Sequence, residues 1–143
     1  MGKKRIISKG ETAGAEAAAA SPVKLSKRKI ESGMLFVRAS YNNTTLSLAD
    51  EQGNVVGFSS SGALGFQGAK KGTPFAAAKV GETLGVKAQT FGMKEVSVVV
   101  SGVGAGRESA IRGFMSKGIA LKTIRDVTPV PFNGPRPKKP RRV

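Results

Sequence analysis

Between residues 34 and 127 the apolar side chains switch between alternate spacing and spacing of three and four. That switching limits the fold more than any other feature. MLFVRASY (34–41) puts Leu35, Val37, Ala39 and Tyr41 on one face, with Met34 and Phe36 giving way to Arg38 and Ser40 on the other. Asn42-Asn43 leads into TTLSLAD, and EQGN turns that segment into VVGFSS. Alternation broken by such turn residues predicts an antiparallel three-stranded meander.

A polar, glycine-rich loop follows, SGALGFQGAKKG, and the period then changes. Thr73 as N-cap and Pro74 at the first helical position predict a helix. Its stripe is Ala77, Val80, Leu84, Ala88 and Phe91, and Gly92 ends it. Gly81 and Gly85 each cost roughly 1 kcal/mol against alanine inside a helix, so they predict a smooth face that another backbone approaches closely. EVSVVV reads as a buried strand from its continuous apolar character. Ala110, Ile111, Phe114 and Met115 mark a short helix ended by Gly118, and IALKTIRDV (119–127) is the last strand. Meander, helix, strand, helix, strand predicts an α/β sandwich around a mixed five-stranded sheet.

The 143 residues divide into three parts by charge, each with a net of +5. Residues 1–32 carry eight basic and three acidic side chains around the low-complexity GETAGAEAAAASP, without apolar periodicity, and predict a disordered arm. Residues 33–128 hold eleven basic and six acidic side chains with nearly all the apolar ones, and form the expected folded domain. Residues 129–143, PVPFNGPRPKKPRRV, hold five basic residues, no acidic ones and five prolines, and predict an extended tail. The total of +15 points to a polyanion, nucleic acid before an anionic membrane.

The chain has no cysteine and no histidine, which removes thiol nucleophiles, disulfides, Cys/His zinc sites and histidine bases. No cofactor and no small-molecule substrate is expected. No apolar run approaches a membrane span, and the basic start lacks the apolar core of a signal peptide, so a cytoplasmic protein without a membrane partner is expected.

SGVGAGRES (101–109) stands between a strand and a helix, where a glycine loop can cradle a phosphate. A dinucleotide site needs a third glycine where Arg107 stands, although Asp126 falls near the ribose-binding position. GFQGAKKGT does not fit the Walker register. Asp50 and Glu51 read as turn residues, Glu108 and Arg112 as a surface pair, and Asp126 as a partner for a nearby arginine. Catalysis is therefore not expected. Two readings of the loop remain: an anion cradle in which Arg107 meets an external phosphate, and a tight turn that needs no ligand. The loop before Thr73 repeats the device with Lys70 and Lys71. Sequence readout of bases is expected to be weak, because Tyr41 and most phenylalanines read as core.

Five stretches together resemble the bacterial type of small-subunit ribosomal protein eleven: ASYNNTTLSLAD, GNVVG, GALGFQGAKKGTPFAA, GVGAGRESAIR and DVTPVPFNGPRPKKPRRV. The resemblance spans about residues 33 to 143. It implies a non-catalytic RNase-H-like sandwich bound to 16S ribosomal RNA at the platform, bridging RNA helices and lining the Shine–Dalgarno cleft. Implied neighbours are small-subunit proteins seven and eighteen, with initiation factor three nearby. The motif residues carried across are Asn42, Asn43, Thr44, Lys70, Lys71, Thr73, Arg107, Arg112, Asn133, Gly134, Arg136, Lys138 and Lys139. Arg38, Gly104, Gly106, Arg141 and Arg142 complete the candidate RNA-binding set. The family's loop often reads G-P-G-P-G-R; Val103 and Ala105 here predict a loop less rigid before binding. Asn133-Gly134 reads as a turn or as a step open to isoaspartate formation. The other readings are an architectural nucleic-acid protein outside the ribosome and a nucleotide-dependent enzyme.

Overall fold

The computed structural model describes residues 29–142, so most of the predicted N-terminal arm lies outside the described residues. The elements are β1 (Ser32–Ala39), β2 (Thr44–Asp50), β3 (Val55–Ser60), α1 (Pro74–Thr90), β4 (Glu95–Ser101), α2 (Arg107–Met115) and β5 (Ala120–Asp126). A short 3-10 helix, Gly68–Gly72, occupies part of the stretch predicted as loop.

The sheet order is β3-β2-β1-β4-β5. β1–β2 and β2–β3 are antiparallel, whereas β1–β4 and β4–β5 are parallel. This is the mixed five-stranded sheet that the element order predicts. Register explains the core. Leu35 lies opposite Leu48 and beside Val98, and Val37 lies opposite Leu46 and beside Val100. All six side chains are buried, on the face covered by the helices.

Two expectations for the strands change. β1 ends at Ala39 because the next amide, that of Ser40, turns to the Asn43 carbonyl at 2.9 Å. Tyr41 therefore lies beyond the strand and is 78% exposed, not part of the inner face. β4 is buried at Val96, Val98 and Val100 but only half-buried at Ser97 and Val99. Helices cover one face of it, so the continuous apolar run overstates its burial.

The whole predicted stripe of α1 is buried. The Thr73 hydroxyl accepts from the Ala76 amide at 3.3 Å and donates to the Lys70 carbonyl at 2.7 Å. Replacing Thr73 by alanine is expected to cost about 1 kcal/mol in denaturant melts, the usual worth of such a cap. α1 and α2 meet backbone to backbone. A methyl carbon at Gly81 would overlap the Ala110 carbonyl and lie 2.8 Å from the Phe114 amide nitrogen. One at Gly85 would lie 2.8 Å from Lys117 Cγ. The two glycines thus form the smooth face expected of their spacing.

Candidate nucleic-acid interface

β1, β3, β4 and β5 run in one direction, so their carboxyl ends share one end of the sheet. Three candidate segments gather there: the Ser40–Asn43 turn, the Lys70-Lys71 loop and the 102–107 loop. The tail departs from the same end, after β5.

Backbone contact holds them together. The Gly104 amide donates to the Ala39 carbonyl at 2.9 Å, and the Gly102 amide to the Thr128 hydroxyl at 3.2 Å. Methyl carbons at Gly102, Gly104 and Gly106 would overlap the Ala39 carbonyl, the Ser40 carbonyl and the Thr44 hydroxyl respectively. One at Gly72 would overlap the Tyr41 carbonyl. The spacing G-x-G-x-G is therefore explained by close packing on the 39–44 segment, which is the tight-turn reading. Gly104 is buried and its amide is used internally, so it does not face an external anion. α2 nevertheless has glycine, Gly106, as its N-cap and so no side-chain cap, leaving first-turn amides without a capping side chain.

Ser61 completes the junction, and the sequence reading missed it. It is fully buried and accepts from the Thr44 amide at 3.2 Å. Its single proton can serve Asn43 Oδ1 at 2.7 Å or the Lys71 carbonyl at 2.9 Å, so it ties the turn to the lysine loop. Inside the polar run SSSG no periodicity marks this serine as buried.

The candidate side chains fall into separate groups. Arg38, Lys70, Arg112 and the tail cations Arg136, Lys138, Lys139, Arg141 and Arg142 are exposed, and Lys71 is half-buried. Arg112 does not form the expected pair with Glu108; among the described residues the ion pairs are Lys79–Glu82, Lys94–Glu31, Arg107–Asp126 and Lys122–Glu95. Arg107 is held internally: it donates to the Gly102 carbonyl at 2.7 Å and to Asp126. The expectation that Asp126 pairs with a nearby arginine is met, and a ribose finds that carboxylate already engaged. Asn42 is exposed, while Asn43 is half-buried with its amide group turned to Thr45 and Ser61.

Thr44 is fully buried and its hydroxyl lacks a hydrogen-bond partner. Its side chain faces inward, not toward a ligand at the surface. Thr44→Val keeps the shape and removes an unsatisfied hydroxyl, a defect worth roughly 1–3 kcal/mol. The variant is expected to melt at or above the parent temperature, with unchanged RNA affinity.

The tail is exposed along its described length, and Asn133 adopts φ 51°, a turn conformation that asparagine tolerates. Its start is fixed by Asp126, whose carboxylate accepts from the Thr128 hydroxyl at 2.6 Å and amide at 2.9 Å. These bonds, with Arg107 next, pull the Asp126 carboxyl from 3.8 to about 2. The ionised form is thus favoured by folding. Its contribution is complete above about pH 4 and fades as the pH falls toward 2. Wild-type melting temperature is expected to drop more steeply across that window than that of Asp126→Asn. Asp50 acts as the expected turn residue: Asn54, through its side chain and amide, lowers its carboxyl pKa and anchors the β2–β3 hairpin.

The aromatic side chains differ most from expectation. Phe91 and Phe114 are core, but Phe58, Phe75 and Phe132 are exposed, as is Tyr41. The expectation that Tyr41 and most phenylalanines are core fails here: Tyr41 lies beyond the end of β1, Phe58 on β3, Phe75 in the first turn of α1 and Phe132 in the tail. Among the described residues no acidic cluster suits a metal ion, and no helix is long and apolar enough to cross a membrane.

A family model for ribosomal protein S11 matches residues 33–142. The chain belongs to the ribosomal protein S11 family. That is a family of structural ribosomal proteins, not of enzymes, so the S11-family chain is a constituent of the small ribosomal subunit that binds its RNA. Its place is in the ribosome.

Proposed function

We infer that this S11-family chain binds 16S ribosomal RNA at the platform through the strand-end junction and the tail. There it bridges RNA helices and helps form the Shine–Dalgarno cleft. The observation that carries the reading is the convergence itself: one sheet end presents the Asn42 turn, the Lys70-Lys71 loop, the uncapped start of α2 and the origin of a five-cation tail. Close packing makes the junction rigid, so its cations meet phosphates without first being ordered. The tail is suited to follow the RNA backbone and to order on contact. Small-subunit proteins seven and eighteen, and initiation factor three, are the protein neighbours that go with this position.

Arg107 contributes here as a brace for the loop and the tail origin. Of the candidate cations in the folded domain, Arg38, Lys70, Lys71 and Arg112 carry no ion pair and are open to phosphates. The test is sedimentation of a cell lysate through sucrose at low and high magnesium, with the protein located by blotting. Co-sedimentation with the small subunit, kept when subunits separate, is the expected result. A protein that stays at the top of both gradients would overturn the reading.

A further inference from the structure

Tyr41 carries an inference beyond phosphate binding. It sits in the Ser40–Asn43 turn, whose backbone is closed by the Ser40 amide on the Asn43 carbonyl at 2.9 Å. The Ser40 hydroxyl accepts from the Asn43 amide at 3.1 Å and tightens the same turn. Gly72 packs closely on the Tyr41 carbonyl and Gly104 on the Ser40 carbonyl, with no room for a methyl group at either glycine. The main chain here is clamped, yet the ring is 78% exposed. Phe75, also exposed, already has partners within the chain: the Phe66 ring at 6.1 Å and Lys79 at 5.9 Å. Among the described residues Tyr41 has no aromatic or cation–π partner.

A large ring displayed on a rigid turn beside Lys70 and Lys71 has the form of a stacking platform. The entropy of ordering its backbone is already spent, and cations nearby can hold the phosphates that flank a base. We propose that Tyr41 stacks on an unpaired base of the bound RNA, so that this end of the sheet selects single-stranded or looped RNA over continuous duplex. The proposal rests on the RNA-binding reading above and adds a base-dependent element to it.

Tyr41 is the only tyrosine and the chain has no tryptophan, so tyrosine emission reports this ring alone. The full chain is titrated with a single-stranded oligouridylate, an abasic RNA oligomer with the same number of phosphates, and a blunt RNA duplex. Binding is followed by anisotropy of a label on the RNA, and stacking by tyrosine quenching. The oligouridylate is expected to quench the emission and the abasic oligomer to leave it unchanged. Tyr41→Ala is expected to weaken oligouridylate binding roughly 5- to 100-fold, leave abasic binding unaltered and, because the ring is exposed, keep the parent melting temperature. Tyr41→Phe retains the affinity. Tight oligouridylate binding without quenching, or with the same affinity in Tyr41→Ala, would overturn the stacking and leave phosphate binding intact. Failure of all three RNAs to bind would overturn the RNA reading and this inference together.

Discussion

Gly102→Ala is expected to destabilise the domain by roughly 2–6 kcal/mol, a large share of the 5–15 kcal/mol that holds a typical domain together. Two costs add. Gly102 has φ 101°, outside the range L side chains ordinarily adopt, at roughly 1–3 kcal/mol. A methyl group there would also overlap the Ala39 carbonyl, forcing β1 away from the β4–α2 loop for roughly 1–3 kcal/mol more. Gly53 supplies the control. Its φ is 90° but nothing lies within 4 Å of where a methyl would stand, so Gly53→Ala should carry the conformational cost alone. Gly104→Ala isolates the overlap, since its φ is not positive. Chemical denaturation of the three variants separates the terms. If the glycines existed only to admit a phosphate, Gly104→Ala would keep full stability and lose RNA affinity; the packing account requires that stability falls.

The second large effect concerns the tail. Replacing Arg136, Lys138, Lys139, Arg141 and Arg142 by glutamine is expected to weaken binding to small-subunit RNA by about two orders of magnitude at physiological salt. Each cation in phosphate contact contributes about 0.7–0.9 to the slope of log affinity against log salt, so the slope should shrink by roughly 3.5–4.5. Melting temperature should stay put, because the tail is exposed and contributes nothing to the buried core. Filter binding between low and high salt measures both numbers. An unchanged slope would assign the RNA contacts to the folded domain alone.

Together these expectations separate two jobs that the sequence runs together. The glycine loop looks like a ligand site because phosphate cradles and close backbone packing need the same residue. Arg107 looks like a phosphate ligand because it opens a helix whose dipole disfavours a cation. In the fold that cost is offset by Asp126 and the Gly102 carbonyl, both of which Arg107 reaches from the first turn.

Much of the fold was legible beforehand. β2 and β3 coincide with TTLSLAD and VVGFSS, and α1 follows its stripe from the Thr73 cap to the Gly92 stop. These elements are governed by local rules, namely alternation, capping and turn chemistry, that act within a few residues. The candidate site was legible only in part. Exposed cations such as Lys70 and the tail stood out by charge alone. The buried state of Thr44, the junction role of Ser61 and the exposure of Tyr41 did not.

The sequence by itself therefore determined the element order, the core stripe and the polyanion-binding character, because spacing and charge are properties of the chain. Only the tertiary structure decided which glycines pack against which carbonyls, which arginine is already engaged and which aromatic ring faces water. Those depend on segments far apart in sequence, 39–44, 61–72, 102–107 and 126–128, meeting at one end of the sheet, and no local pattern encodes their meeting.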